Sequence, residues 1–398
     1  MKKKVSPLAL LSFVMVINAL SYGTIIPLLY PYASRFGVSP LGMSFLFASF
    51  SLAQFFSTPI LGRLSDKFGR KPILVICLLG TSLSLGTFAL ANNFFILFVS
   101  RFIDGITGGN VSVAQAIISD TAKGADRAKA FGILGASFGF GFIFGPALGG
   151  LMSKVSLTAP FWFAAGLALL GAVLAILLLP ETLDPALKKI ERRESVAELF
   201  KLKEIYRALF TPFSGVVLLV SFFLAVSLNA MIIGFQAFTV DVLKLNGTQI
   251  GLFFSVFGLI GVGMQFLAIG PVMKRFPSKK NILIVSTTLS AVAMVFAFLS
   301  RSFVPFFLAM MAFGMVSVFR DPMISSLLIE RTRDEDRGGI LGINQAYTSL
   351  GQIIGPITAG LVSRVSVSSV FLLSAGYLLI SLILSHFLHN HTKEKLDL

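Results

Sequence analysis

Charge is scarce in this chain. Asp, Glu, Lys and Arg make up 13% of its 398 residues, about half the share of a soluble globular domain. Hydrophobic residues make up 55%, and the mean hydropathy is +0.88. A single soluble core stops growing near ~250–300 residues, so this much apolar surface requires lipid as its solvent. Cysteine is almost missing. The lone Cys77 lies in an apolar run and excludes an intrachain disulfide and a cysteine-built metal centre. The three histidines, His386, His389 and His391, crowd the end of the chain, where solvated or snorkelling side chains explain them better than a metal site. There is no GxxxxGK[ST] loop or HExxH, hence no sign of ATP hydrolysis or of a zinc-protease site. No cofactor or metal is expected, and uphill movement of a solute would have to draw on a gradient.

Long apolar runs are abundant. A bilayer core needs about 20 apolar residues per helix, and the sequence predicts twelve such spans, near 8–30, 41–64, 72–91, 94–120, 127–152, 159–180, 213–237, 248–273, 281–299, 303–328, 337–362 and 368–389. None alternates apolar and polar residues as a barrel strand does. Lys2, Lys3 and Lys4 precede the first run as they would in a signal peptide. That run, however, is too long, contains Pro27 and has no small-residue cleavage site. With the N-terminus inside, 26 of the 33 lysines and arginines fall on the cytoplasmic side. The positive-inside rule therefore places both termini in the cytoplasm. The net charge of +15 follows from these loops, and no nucleic-acid partner is implied. The expectation is an all-α, multi-pass, monomeric protein of the bacterial inner membrane. It has two six-helix bundles, 1–183 and 211–398, and a cytoplasmic linker, 184–210, that could carry an amphipathic helix.

The two bundles are copies. At an offset of 210 residues, Gly145-Pro146-Ala147-Leu148-Gly149-Gly150-Leu151-Met152-Ser153-Lys154-Val155-Ser156 aligns with Gly355-Pro356-Ile357-Thr358-Ala359-Gly360-Leu361-Val362-Ser363-Arg364-Val365-Ser366. Asp120, Lys123, Asp126 and Arg127 likewise align with Glu330, Arg333, Asp336 and Arg337. Apolar composition alone would not reproduce charged loop residues in register. Parallel repeats of this kind suit alternating access, with two bundles rocking about a mid-membrane site.

Three constellations carry the mechanism. After the second span comes Gly62-Arg63-Leu64-Ser65-Asp66-Lys67-Phe68-Gly69-Arg70-Lys71. Topogenic charge would explain its basic residues, but not the glycines or Asp66. Gly69 suits a tight turn at positive φ, and Asp66 can pair with neighbouring arginines or a helix N-terminus. The fifth span carries Gly132, Gly141, Gly145, Pro146 and Gly149. This is a groove for a close helix backbone plus a proline bend, with Gly258 and Gly261 of the eighth span as the expected partner. The fourth span holds Arg101 and Asp104 on one helical face. They form either a neutralised pair that orients the helix or a proton site tuned by its arginine. In the tenth span Arg320 and Asp321 are adjacent and point ~100° apart, so one faces the cavity and the other a neighbouring helix.

These motifs resemble the major facilitator superfamily. The loop 62–71 matches its G-x-x-x-D-[RK]-x-G-[RK]-[RK] signature, which implies a gating role for Gly62, Asp66, Gly69, Arg70 and Lys71. The fifth span is similar to the antiporter motif G-x8-G-x3-G-P-x2-G. The fourth resembles the R-x-x-x-G motif of proton-coupled drug exporters. The second-half counterpart of the loop, Gly270 to Lys280, is degraded, with Lys274 and Pro277 in place of the aspartate and glycine. The stretch from Arg101 to Thr182, ending in Leu-Pro-Glu-Thr, looks most like the tetracycline/proton antiporter branch. Where that branch usually has an aspartate in span 1, this chain has Asn18. The resemblance implies Asp104, Arg101 and Asp321 as proton-coupling candidates. It implies Asn18, Tyr22, Gln115, Asn229, Gln236 and Arg320 as cavity candidates, from spans 1, 4, 7 and 10. The expected function is proton-coupled export of amphipathic small organic molecules. A lipid or lysolipid transporter, an importer of an anionic metabolite held by Arg101 and Arg320, and a non-transporting sensor or scaffold are the alternatives.

Overall fold

A computed structural model describes residues 7–122, 124–183, 202–211, 213–333 and 336–388, and among them it contains helices and no β-strand. In lipid every backbone N–H and C=O must be satisfied within the protein, and helices do most of this without an edge. Among the described residues, eleven helical segments are long and apolar enough to cross a membrane: Leu8–Phe36, Pro40–Phe68, Arg70–Ala89, Phe94–Thr121, Lys129–Met152, Ala159–Leu178, Ser214–Val242, Gly247–Leu267, Lys279–Leu299, Phe303–Glu330 and Ser369–His386. The remaining expected span forms a helix at the predicted place, Arg337–Ser363, but is less apolar because it carries Arg337, Asn344, Gln345, Thr348 and Gln352.

Two of these segments are broken, and at matching places. The fourth runs as Phe94–Ile106 and Asn110–Thr121, and the tenth as Phe303–Ser317 and Arg320–Glu330. The residues that restart each helix, Asn110 and Arg320, are 210 apart, so the break belongs to the repeated unit. Each repeat also holds a buried aromatic knot at the end away from the basic loops. In the first, the Phe161 ring lies 4.8 Å from Phe88 and 5.0 Å from Tyr32. In the second, Phe306 lies 4.5 Å from Phe238 and 5.4 Å from Phe371. Phe161 and Phe371 are again 210 apart. At the basic end of the first repeat, Leu11, Met15, Leu74, Leu78, Val113 and Ile117 form a fully buried core with Cys77.

Contacts divide the chain into two units. One holds Met1–Val38, Ser49–Glu194 and Leu245–Val256, and the other Ser39–Ala48, Ser195–Lys244 and Phe257–Leu398. Residues 184–201 of the expected linker lie outside the described residues, as do His389 and His391. The linker's last part is the helix Leu202–Leu209. It is amphipathic, with Ala208 buried and Tyr206 and Arg207 exposed. Tyr347 ties it down by donating to the Ile205 carbonyl at 3.1 Å.

Candidate functional site

The site begins with the break in the fourth segment. Stopping a helix at Ile106 leaves carbonyls without intrahelical donors, and in a membrane these must be satisfied by protein. The second segment adds two side-chain donors to the turn's own Gly108 N–H, which reaches the Gly105 carbonyl at 3.1 Å. Ser57 Oγ donates to the Gly105 carbonyl at 2.8 Å, and Gln54 Nε2 to the Gly108 carbonyl at 3.0 Å. Glycine is needed for this approach: a Cβ on Gly109 would come within 2.6 Å of Leu61, and one on Gly105 would meet the Phe50 carbonyl.

Around this patched break lies a buried polar cluster. Arg101 pairs with Asp104 at 2.8 Å, and Tyr22 donates its hydroxyl to the other Asp104 oxygen at 3.1 Å. Asp104 has no exposed surface and Arg101 only 5%. The Arg101 guanidinium also lies 4.4 Å from the centre of the Phe50 ring, a cation–π contact that strengthens when desolvated. One helical turn before Tyr22, Asn18 accepts a hydrogen bond from Asn110 at 3.0 Å, and its own Nδ2 is buried without an acceptor. Four of the expected residues, Asn18, Tyr22, Arg101 and Asp104, are thus brought together, with Asn110 added. Gln115 is exposed further along the same segment and does not join them.

In the second repeat the expected residues stay apart in character. Arg320 is 4% exposed while Asp321 is exposed, so of the adjacent pair it is the arginine that turns inward. Asn229 turns its amide back to the Ala225 carbonyl of its own helix at 2.9 Å. Gln236 is buried.

The loop 62–71 forms a charged latch within the first repeat. Arg70 pairs with Asp66 at 2.6 Å and Asp120 at 2.8 Å, and donates to Ser65 Oγ at 2.7 Å. Gly69 has φ +115°, which only glycine adopts comfortably, whereas Gly62 has open space around it. Lys71 donates to the Ile176 carbonyl at 2.7 Å. Glu181, of Leu-Pro-Glu-Thr, caps the helix that starts at Arg70. It accepts backbone N–H bonds from Arg70 (3.0 Å), Lys71 (3.2 Å), Thr182 and Leu183 (both 2.9 Å). Partial burial pushes the Glu181 carboxyl up, but these four donors outweigh it and hold the group below the usual carboxylate range. A Cβ on Gly69 would collide with this carboxylate. Sequence reasoning missed Glu181 and Asp120 as parts of the latch. The only signal was that both flank spans as acids in a basic environment.

The glycines of the fifth span serve a different neighbour from the expected one. Gly141, Gly145 and Gly149 face the first segment's backbone at Ala19, Gly23 and Thr24, where a Cβ on Gly145 would fall 2.6 Å from the Gly23 carbonyl carbon. The eighth segment is met through Gly251, whose Cβ would lie 2.8 Å from Gly150 Cα. Gly132 faces open space, and Pro146 lies inside the helix Gly124–Met152. A cavity of about 540 Å³ opens beyond this packing among Leu8, Ser12, Thr121, Asp126, Lys129 and Ile133. At 1.5 Å per residue it lies about 25 Å along the fourth segment from Asp104 and is separate from the cluster.

Charges buried inside the apolar segments of a tandem-repeat helical membrane protein fit the architecture of a secondary transporter. The chain belongs to the major facilitator superfamily, whose model matches residues 11–268 and 218–397. It is 32% identical over 340 residues to the class C tetracycline resistance protein of Escherichia coli, covering 85% of this chain and 82% of that one. It is 27% identical to multidrug resistance protein 2 of Bacillus subtilis (strain 168), over 91% and 89% of the two chains. It is 28% identical to the quinolone resistance protein NorA of Staphylococcus aureus, over 90% of each. The nucleoside transporter NupG shares the fold, with TM-score 0.77 at 17% identity over 96% and 99% of the two chains.

Proposed function

We propose that this protein is a proton-coupled exporter of amphipathic small molecules, working by alternating access in a bacterial inner membrane with both termini cytoplasmic. The observation that carries the reading is the buried cluster Arg101–Asp104–Tyr22 beside the helix break. Burying an ion pair in an apolar bundle is costly and stabilises little by itself, so its retention favours a working role. A proton reaching Asp104 would cancel the charge that Arg101 and Tyr22 are arranged around. The guanidinium would lose its counter-ion, and the break at Thr107–Gly109 gives the helix a place to rearrange. Proton binding and conformation would thereby be linked. With Asn18 unable to titrate, Asp104 is the acid within the cluster. The names of the relatives support drug-like cargo.

The test is flux of a lipophilic dye in proteoliposomes under an imposed pH gradient, for wild type and Asp104→Asn. Gradient-driven movement that disappears in the variant supports the reading. Movement that survives unchanged removes Asp104 from coupling and makes Asp321 the next residue to change.

A further inference from the structure

Arg320 is a buried cation with no salt-bridged carboxylate among the described residues. It keeps 4% of its surface exposed. Its Nε donates to the Ser317 carbonyl at 3.3 Å, its guanidinium lies 5.0 Å from the Phe313 ring centre, and Nη1 is buried with no acceptor. No carboxylate among the described residues pairs with it. Asp321, one residue on and ~100° around the helix, is exposed and offers the guanidinium a coulombic attraction but no ion pair.

The first repeat shows how this fold compensates such a group. Arg101 also stacks on a phenylalanine, but it has Asp104 at 2.8 Å. At the position equivalent to Arg320, that repeat has the neutral Asn110, held by Asn18. An uncompensated guanidinium in the middle of an apolar bundle is strongly unfavourable. Such a group is usually retained in a span where it meets an ion or substrate.

We propose that Arg320 receives the carboxylate of the transported molecule, so that the cargo is an amphipathic acid or zwitterion and not a simple cation. The guanidinium offers two parallel N–H donors in the geometry that a carboxylate accepts. Phe313, fully buried with its ring centre 5.0 Å from the guanidinium, gives the cation an apolar neighbour. Because Arg320 stands at a helix break, the backbone can open an approach there without dismantling a continuous helix. Naming this molecule as cargo rests on the transport reading above. The anion site itself does not.

Rhodamine B and its ethyl ester share one ring system and differ in the free carboxylate. Fluorescence anisotropy titrations of the purified full-length protein in detergent should show at least tenfold tighter binding of the acid. Arg320→Lys and Arg320→Gln should remove that preference by weakening the acid tenfold or more, with the ester within twofold of wild type. A structural role alone would weaken both dyes together, and that result overturns the proposal. So does a wild-type protein with no preference for the acid, including one that binds neither dye, a comparison that needs no variant to fold. If the acid is preferred in binding but no pH gradient moves it through proteoliposomes, the anion site stands and the exporter reading fails. If dye moves under the gradient without preference for the acid, the exporter reading stands and the anion site fails.

Discussion

The two repeats share a frame and differ in where they put charge. Both break the fourth helix of their set at equivalent residues. Both pack glycines of the fifth against the backbone of the first: Gly145 on Gly23 in one repeat, Gly355 on Val226 and Asn229 in the other. The first repeat encloses an arginine, an aspartate and a tyrosine before its break, while the second places a single arginine after it. At the basic end, Arg70 bridges two carboxylates in the first repeat, and Lys279 pairs with Glu330 in the second. Glu330 is the repeat equivalent of Asp120, and Lys279 neighbours the equivalent of Arg70. Backbone packing has therefore stayed symmetric where side chains are small. Charge has diverged, with a buried arginine–aspartate pair in one repeat and a buried arginine without a salt-bridged carboxylate in the other.

The largest effect is expected at the buried pair. Asp104→Asn removes one partner and leaves Arg101 buried without a counter-ion, a loss of about 3–5 kcal/mol. Thermal unfolding in detergent should show a large drop. Adding Arg101→Gln should recover much of the stability and none of the gradient-driven flux, which separates a structural pair from a coupling site. A single-variant protein as stable as wild type would break the contrast between the repeats.

Close helix packing comes next. Gly145→Ala puts a Cβ against the Gly23 backbone, which cannot yield as a side chain can, so overpacking of about 1–3 kcal/mol is expected. Gly355→Ala meets the Val226 carbonyl and Ala230 N and should cost a similar amount. Gly132→Ala, with nothing within 4 Å, should be neutral or slightly stabilising through helix propensity. Equal melting shifts for the first two, with none for the third, would confirm that packing is the shared part of the design.

Much of this frame was legible in the sequence. Apolar runs placed the helices to within a few residues because a bilayer fixes their length. The 210-residue register carried over to the breaks and the glycines. Gly69 at positive φ followed from the loop's spacing, and of the two partners open to Asp66, a neighbouring arginine or a helix N-terminus, the structure shows Arg70. What failed was the choice of partners across the fold. The sequence suggests Gly258 and Gly261 as partners of the fifth span's small face, whereas Gly141, Gly145 and Gly149 lie on the first segment and Gly150 on Gly251. Periodicity shows which face is small, not which neighbour uses it. Glu181 was invisible for a related reason. Its role comes from four backbone N–H groups, two of them more than a hundred residues away, and backbone donors leave no mark in a sequence.

A smaller, pH-dependent effect follows at Glu181. Its carboxyl is held below the ordinary value by backbone donors. The stability it provides is therefore present above the unfolded value of about 4.3 and lost as the pH falls through the lower folded value. Glu181→Ala should cost about 0.5–2 kcal/mol, as for the loss of a helix cap. The gap in melting temperature from wild type should be constant above about pH 5 and close below about pH 4. A gap that widens on acidification would contradict this capping role.

The smallest effect should fall on the second repeat's ion pair, and it tests how unequal the two latches are. Glu330 is more than half exposed and Lys279 about a fifth, so solvent screens their attraction and the pair should contribute ~0–1 kcal/mol. Arg70 is largely buried, its side chain 10% exposed, and it holds Asp66, Asp120 and Ser65 together. Asp120→Asn should therefore destabilise the protein more than Glu330→Gln does. In a melting series from low to 0.5 M salt, the Glu330→Gln difference should vanish, because exposed pairs are screened over a few ångströms, while most of the Asp120→Asn difference should remain. Equal losses that fade together would mean that the two latches are energetically alike. The asymmetry read from Lys274 and Pro277 would then concern the loop's shape alone.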